Sequence, residues 1–206
     1  MITAARKLIS ISAANYKMGP IPSISLPVGL TCAPGIPCRS KCYAAKMCRR
    51  WKSIGTAWMR NWDIYLESPA EYFEQVEAWL ILNRPWAFRW HVGGDIPNYA
   101  YLEGMIRVAE STSRTLHWGF TKRYEILDGA AHTLPPNLTI LASAWPGLLI
   151  PHDILDNYPI AWMADKDGTE TRIPAHATHC PGKCYECTGV ICTNLAPGEA
   201  IVLDEH

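Results

Sequence analysis

The chain has 206 residues, of which 49% are hydrophobic and 18% charged, proportions that fit one packed domain over 1–206 and exclude a disordered or acidic-tail protein. Nineteen Lys and Arg balance nineteen Asp and Glu, so no global field directs the chain to nucleic acid, an anionic membrane or an acidic substrate. No run reads as a membrane span or a secretory leader, so no membrane partner and a cytoplasmic location are expected.

In chain order, the first expected element is a short strand at Ser23–Leu26, bounded by Pro22 and Pro27. A cysteine-bearing loop shaped by Pro34, Gly35 and Pro37 follows. From Cys32 to Arg60 the chain carries Arg39, Lys41, Lys46, Arg49, Arg50, Lys52 and Arg60 and no acid; these cations either offset nearby thiolates or face an anionic partner. Ser68-Pro69-Ala70-Glu71 is a capping box that opens a helix, with Tyr72, Phe73, Val76, Trp79 and Leu80 on one face. The stretch Trp86 to Val92 alternates as a strand, which places Trp86, Phe88, Trp90 and Val92 on one face and Arg89 and His91 on the other.

A second helix is expected from Asn98, with Leu102, Met105, Ile106 and Ala109 buried, then a strand from Thr115 to Phe120. A short helix around Tyr124 to Ala131, a strand over Leu138 to Ala142 and an apolar run at Ile160 to Met163 continue the rhythm. Strands alternating with helices imply a mostly parallel sheet, and about five strands are too few to close an eight-fold barrel. The expected fold is therefore α/β: an open sheet or partial TIM-like barrel with Cys-rich loops, its core over 1–170 and a Cys-rich C-terminal extension over 171–206.

The eight cysteines form two runs. Cys32, Cys38 and Cys42, with Cys48 six residues further on, lie on a loop entering a helix; Cys180, Cys184, Cys187 and Cys192 fall within thirteen residues. In a reducing compartment such runs read as metal ligands rather than disulfides. Soft sulfur donors suit iron-sulfur centres or zinc, and the compact, irregular spacing favours iron-sulfur, with zinc as the alternative metal. His176 and His179 precede the second run and are additional candidate ligands.

Sites in α/β sheets gather beyond the carboxyl ends of strands. The expected ends are the cysteine loop, Gly93-Gly94-Asp95, Thr121-Lys122-Arg123, Ser143-Ala144-Trp145 and Asp165. Gly93 and Gly94 permit close backbone approach, and Asp95 is able either to bind an amine or to satisfy loop amides. His91 and Lys122 are candidate acid-base or substrate-contacting groups.

The strings Gly19-Pro20-Ile21-Pro22-Ser23-Ile24-Ser25-Leu26-Pro27, Thr31-Cys32, Cys42-Tyr43-Ala44, Phe88-Arg89-Trp90-His91-Val92-Gly93-Gly94-Asp95 and Phe120-Thr121-Lys122 resemble the phage and prophage family called gene product eighty-eight. That family is similar to radical S-adenosylmethionine enzymes. The resemblance implies a partial α/β barrel with a 4Fe-4S cluster on Cys32, Cys38 and Cys42, and S-adenosylmethionine held near Gly93, Gly94 and Asp95. It also implies an auxiliary cluster on the second run, an electron donor, and a small-molecule substrate touched by His91, Tyr43 or Lys122. The spacing here is Cys-x5-Cys-x3-Cys, longer than the usual Cys-x3-Cys-x2-Cys, with Cys48 as an alternative fourth ligand. Two other functions fit the same residues: an iron-sulfur or zinc protein binding nucleic acid or a host protein in a host-cell cytoplasm, and an electron-transfer module.

Overall fold

The computed structural model describes residues 7–128, 130, 133–187 and 190–205. In chain order they form β1 Ile11–Ser12, β2 Ser23–Ile24, a 3-10 turn at Pro37–Arg39, α1 Tyr43–Arg50, α2 Lys52–Glu67, α3 Pro69–Asn83, β3 Ala87–Trp90, α4 Tyr99–Ser111, β4 Leu116–Thr121, α5 Tyr124–Leu127, β5 Leu138–Ser143, α6 His152–Asn157, β6 Ile160–Ala164, β7 Thr178–His179, α7 Val190–Thr193 and β8 Ala200–Asp204.

The capping box at α3 forms: Ser68 Oγ accepts the Glu71 amide at 3.3 Å. The helix then stops at Arg84, whose left-handed φ of 47° lies just before Pro85. At α4, Asn98 Oδ1 caps by accepting the Tyr101 amide at 2.8 Å. The helix expected from Tyr124 ends at Leu127, and its expected end at Ala131 lies outside the described residues.

One sheet runs in the order β1-β2-β3-β4-β5-β6-β8-β7. Only β1–β2 is antiparallel; the other pairs are parallel. The sheet is open, with β1 and β7 at its edges, and has eight strands rather than about five. Strands β2 to β6 are laid down in chain order, and right-handed crossovers between such strands put their helices on one face. That face buries Phe88, Trp90, Ile140 and Ile160 against Val76, Leu80, Leu102 and Met105. The opposite face carries Met18, Ala87, Trp118, Leu141, Ala161 and Ile201, and is covered by Cys192, Cys184 and Leu195. The Cys-rich segment is thus no appendage: β8 pairs with β6 over five residues.

The alternation expected along Trp86 to Val92 breaks at its end. Phe88 and Trp90 share the helix face, and Arg89 points with Ala87 to the other. His91, expected beside Arg89, instead has a left-handed φ of 55°. This turns its ring back onto α4, where Nε2 lies 3.1 Å from the Tyr101 hydroxyl. Val92 goes to the opposite face, and Trp86 is 44% exposed. A period of two holds only while the backbone stays extended.

Candidate functional site

The ends of β2, β3, β4 and β5 are tied together by short side chains. Ser25 Oγ accepts the amides of Val92 at 3.1 Å and Gly93 at 3.2 Å, and the Leu26 amide donates to Gly93 O at 3.1 Å. Thr31 Oγ1 accepts the Asp95 amide at 3.1 Å. A β-carbon on Gly94, whose φ is 81°, would sit 2.6 Å from Leu26 O and 2.7 Å from Thr31 Oγ1; one on Gly93 would strike the Trp58 ring at 2.2 Å. Both glycines are therefore required by close approach, Gly94 by backbone sign as well.

Asp95 is 5% exposed. One of its oxygens accepts the Thr121 hydroxyl at 2.6 Å and the Ile96 amide at 2.8 Å; the other accepts the Lys122 amide at 3.0 Å. Burial raises its pKa, and these donors oppose the shift. The carboxylate thus satisfies loop amides and joins β3 to β4. Lys122 Nζ donates to Ser143 Oγ at 2.7 Å and lies 5.8 Å from the Trp145 ring centroid.

Cys32, Cys38 and Cys42 border this edge as free, half-buried thiols. Burial raises the Cys32 and Cys38 thiols; Cys42 and Asp95 raise both further, and Lys122 is the largest influence lowering Cys38. Cys48 stands apart. Burial raises its thiol and only Cys42 adds to the shift; its sulfur faces α2, 3.9 Å from where a β-carbon on Gly55 would lie. Cys48 therefore packs toward α2 while still sensing Cys42.

In the second run Cys192 is buried and Cys184 packs in the same cluster on the sheet face opposite the helices. Burial pushes Cys192 up to about 12, with Cys180, Cys184 and Cys187 adding to the shift, and Cys184 is raised by burial and by Cys187 and Cys180. His176 and His179 are exposed. Each run has a glycine amide aimed at a sulfur, Gly29 at Cys32 and Gly182 at Cys180, both at 3.4 Å. No disulfide joins the cysteines among the described residues, and an all-sulfur donor set suits iron-sulfur or zinc. Among the described residues no three His, Cys, Asp or Glu form a preformed metal-ion site, so the thiols of each run are neighbours rather than a closed ligand cage.

Tyr43 opens α1, and its hydroxyl donates to Val92 O. His91 is 4% exposed, its Nδ1 has no partner, and burial depresses it to about 3, so the imidazole is neutral. It faces Tyr101 and lies on the helix face, away from the surface that Arg89 faces. Sequence reading passed over Ser25 and Thr31, which build the edge, although a hydroxyl just past a strand is a readable signal. It gave Arg89 no role beyond its strand face; its neighbours Met18 and Phe120 are distant in sequence.

No helix among the described residues is long and apolar enough to cross a membrane. No curated protein and no solved structure matches the chain. The family model described as Gene product 88 matches residues 2–172, which takes in the first cysteine run, the glycine pair and Lys122, and the chain belongs to the Gene product 88 family.

Proposed function

We propose that the chain is an iron-sulfur protein resembling radical S-adenosylmethionine enzymes, with Cys32, Cys38 and Cys42 as the ligands of a 4Fe-4S cluster that keeps one iron open. The observation that carries this reading is the strand-end edge itself, where Cys32 and Cys38 sense Asp95 and Cys38 senses Lys122, while Cys48 Sγ faces Gly55 of α2. The one-directional winding of β2 to β6 fits a partial barrel. The Gly29 amide aimed at Cys32 fits a sulfur that holds iron, since such hydrogen bonds tune clusters. When bound, the cluster supplies an electron for reductive cleavage of the sulfonium, and a separate donor protein must deliver that electron.

The chain's own residues then bind and orient. Gly93 and Gly94 let Trp58, Leu26 and Thr31 close against the loop on which S-adenosylmethionine would rest, and Asp95 holds that loop through Thr121 and Lys122. The Lys122 ammonium makes no ion pair among the described residues and faces Cys38, where it attracts an anionic part of a small-molecule ligand. Tyr43 fixes the turn after Cys42 by its bond to Val92. Single Cys→Ser variants test the ligand set. Loss of iron at positions 32, 38 and 42 with full retention at 48 is expected; equal loss at 48 would give a closed four-cysteine centre.

A second reading has its own observation. Lys46, Arg49, Arg50 and Lys52 are exposed and make no ion pair among the described residues, and Arg50 lies 4.7 Å from the ring centroid of the exposed Trp51. Basic groups beside a free aromatic ring suit a nucleic-acid strand. DNA affinity that falls steeply with salt, with a shallower slope in Lys46→Ala or Arg49→Ala, supports this reading. No binding at low salt ends it.

A further inference from the structure

Arg89 is the one residue of β3 that sends a charge to the face opposite the helices. Its guanidinium stacks on Phe120 at 5.0 Å, an Nη lies 3.8 Å from Met18 Sδ, and its buried Nε has no partner. No carboxylate forms an ion pair with it among the described residues. Leaving a guanidinium half-buried without an anion is costly. The groups around it are sulfurs and the Tyr43 hydroxyl. Cys184 and Cys192 belong to the same cluster as Met18 and Phe120, and the Cys184 amide donates to Lys17 O at 2.8 Å, one residue from Met18.

We infer that Cys180, Cys184, Cys187 and Cys192 form a second, closed metal-thiolate centre on the sheet face opposite the helices, with Arg89 as its buried counter-ion. Four thiolates around divalent zinc or a 4Fe-4S core carry a net charge of about −2. A cation packed beside them lowers the cost of burying that charge. The inference rests on the reading of this chain as a metal-thiolate protein and adds what balances the second run. Arg89 acts through the sulfurs and is a positioning residue, not a ligand.

The test uses the full chain, purified anaerobically, and measures bound metal and its release to EDTA. The variants are Cys32→Ser/Cys38→Ser/Cys42→Ser, Cys184→Ser/Cys192→Ser, Arg89→Gln and Arg89→Lys. The triple variant is expected to keep metal that the double variant loses. Arg89→Gln is expected to release that metal roughly 10- to 100-fold faster, as loss of an outer-shell partner does, with Arg89→Lys close to wild type. A wild-type chain without metal overturns both readings. A metal-bearing wild type with an empty triple variant overturns the second centre alone. Arg89→Gln behaving as wild type, or Arg89→Lys as impaired as Arg89→Gln, overturns the counter-ion. Should Arg89→Gln fail to fold, the Arg89 Nε–H signal of the zinc-loaded wild type decides. Slower solvent exchange than in the metal-free chain supports the inference, and equal exchange overturns it.

Discussion

The Thr121 hydroxyl donates to the Asp95 carboxylate across 2.6 Å, joining the loop after β3 to the last residue of β4. Asp95→Ala leaves that hydroxyl and the Ile96 and Lys122 amides without their acceptor in a buried place. The expected cost is about 3 kcal/mol in urea unfolding, with Asp95→Asn losing about half as much. A loss below about 0.5 kcal/mol for Asp95→Ala would mean that these bonds contribute nothing net.

Gly94 and Gly147 separate backbone strain from collision. Their φ values are 81° and 79°, but a β-carbon at Gly147 meets nothing within 4 Å, whereas one at Gly94 meets Leu26 O and Thr31 Oγ1. Gly147→Ala should cost about 1 kcal/mol and Gly94→Ala at least about 3 kcal/mol, because backbone is a poor neighbour to displace. Equal losses in thermal or urea unfolding would show that the loop yields.

Acid should weaken the fold through its buried histidines. Burial depresses His91 to about 3 and His117 to about 4, while an unfolded imidazole titrates near ~6.5. Between those values the unfolded chain binds protons that the folded chain does not. The stability is therefore complete above pH 6.5, the ordinary histidine value, and falls as pH drops toward 4. His117→Phe should flatten the fall in urea midpoint between about pH 6.5 and 4.5, and an unchanged slope would contradict burial as its cause.

Lys122 should set the reactivity of Cys38. It is the largest influence lowering that thiol, so Lys122→Met should slow iodoacetamide labelling of Cys38 in metal-free protein at mild alkaline pH by roughly threefold. Cys48, which does not sense Lys122, is the internal control. Equal slowing at both positions points to a general change in access instead.

Local signals carried much of the fold. The box at Ser68 and the apolar periods predicted α3, α4, β3, β4, β5 and β6 to within a few residues. β8 was equally visible as Ala200-Ile201-Val202-Leu203, but a short apolar run does not by itself distinguish strand from buried helix. His91 was misplaced because one left-handed residue reverses the face of everything after it, and no neighbour in sequence announces that turn. The candidate edge was legible as a row of strand ends. What was not legible is where Cys48 goes: it is as near in sequence to Cys42 as Cys38 is to Cys32, yet the α1 turn carries it toward α2. That Arg89 reaches the cluster of Met18 and Phe120 in which Cys184 and Cys192 pack comes from the fold alone, since β3 and the C-terminal run are far apart in the chain.

The most direct measurement is iron, sulfide and zinc content of anaerobically purified protein, with the electron paramagnetic resonance spectrum of the reduced form before and after S-adenosylmethionine. Iron and sulfide in near-stoichiometric amounts, with a spectrum shifted by S-adenosylmethionine, is the predicted result. Zinc without sulfide would contradict the iron-sulfur assignment, and an iron signal unmoved by S-adenosylmethionine would contradict the open iron at Cys32, Cys38 and Cys42.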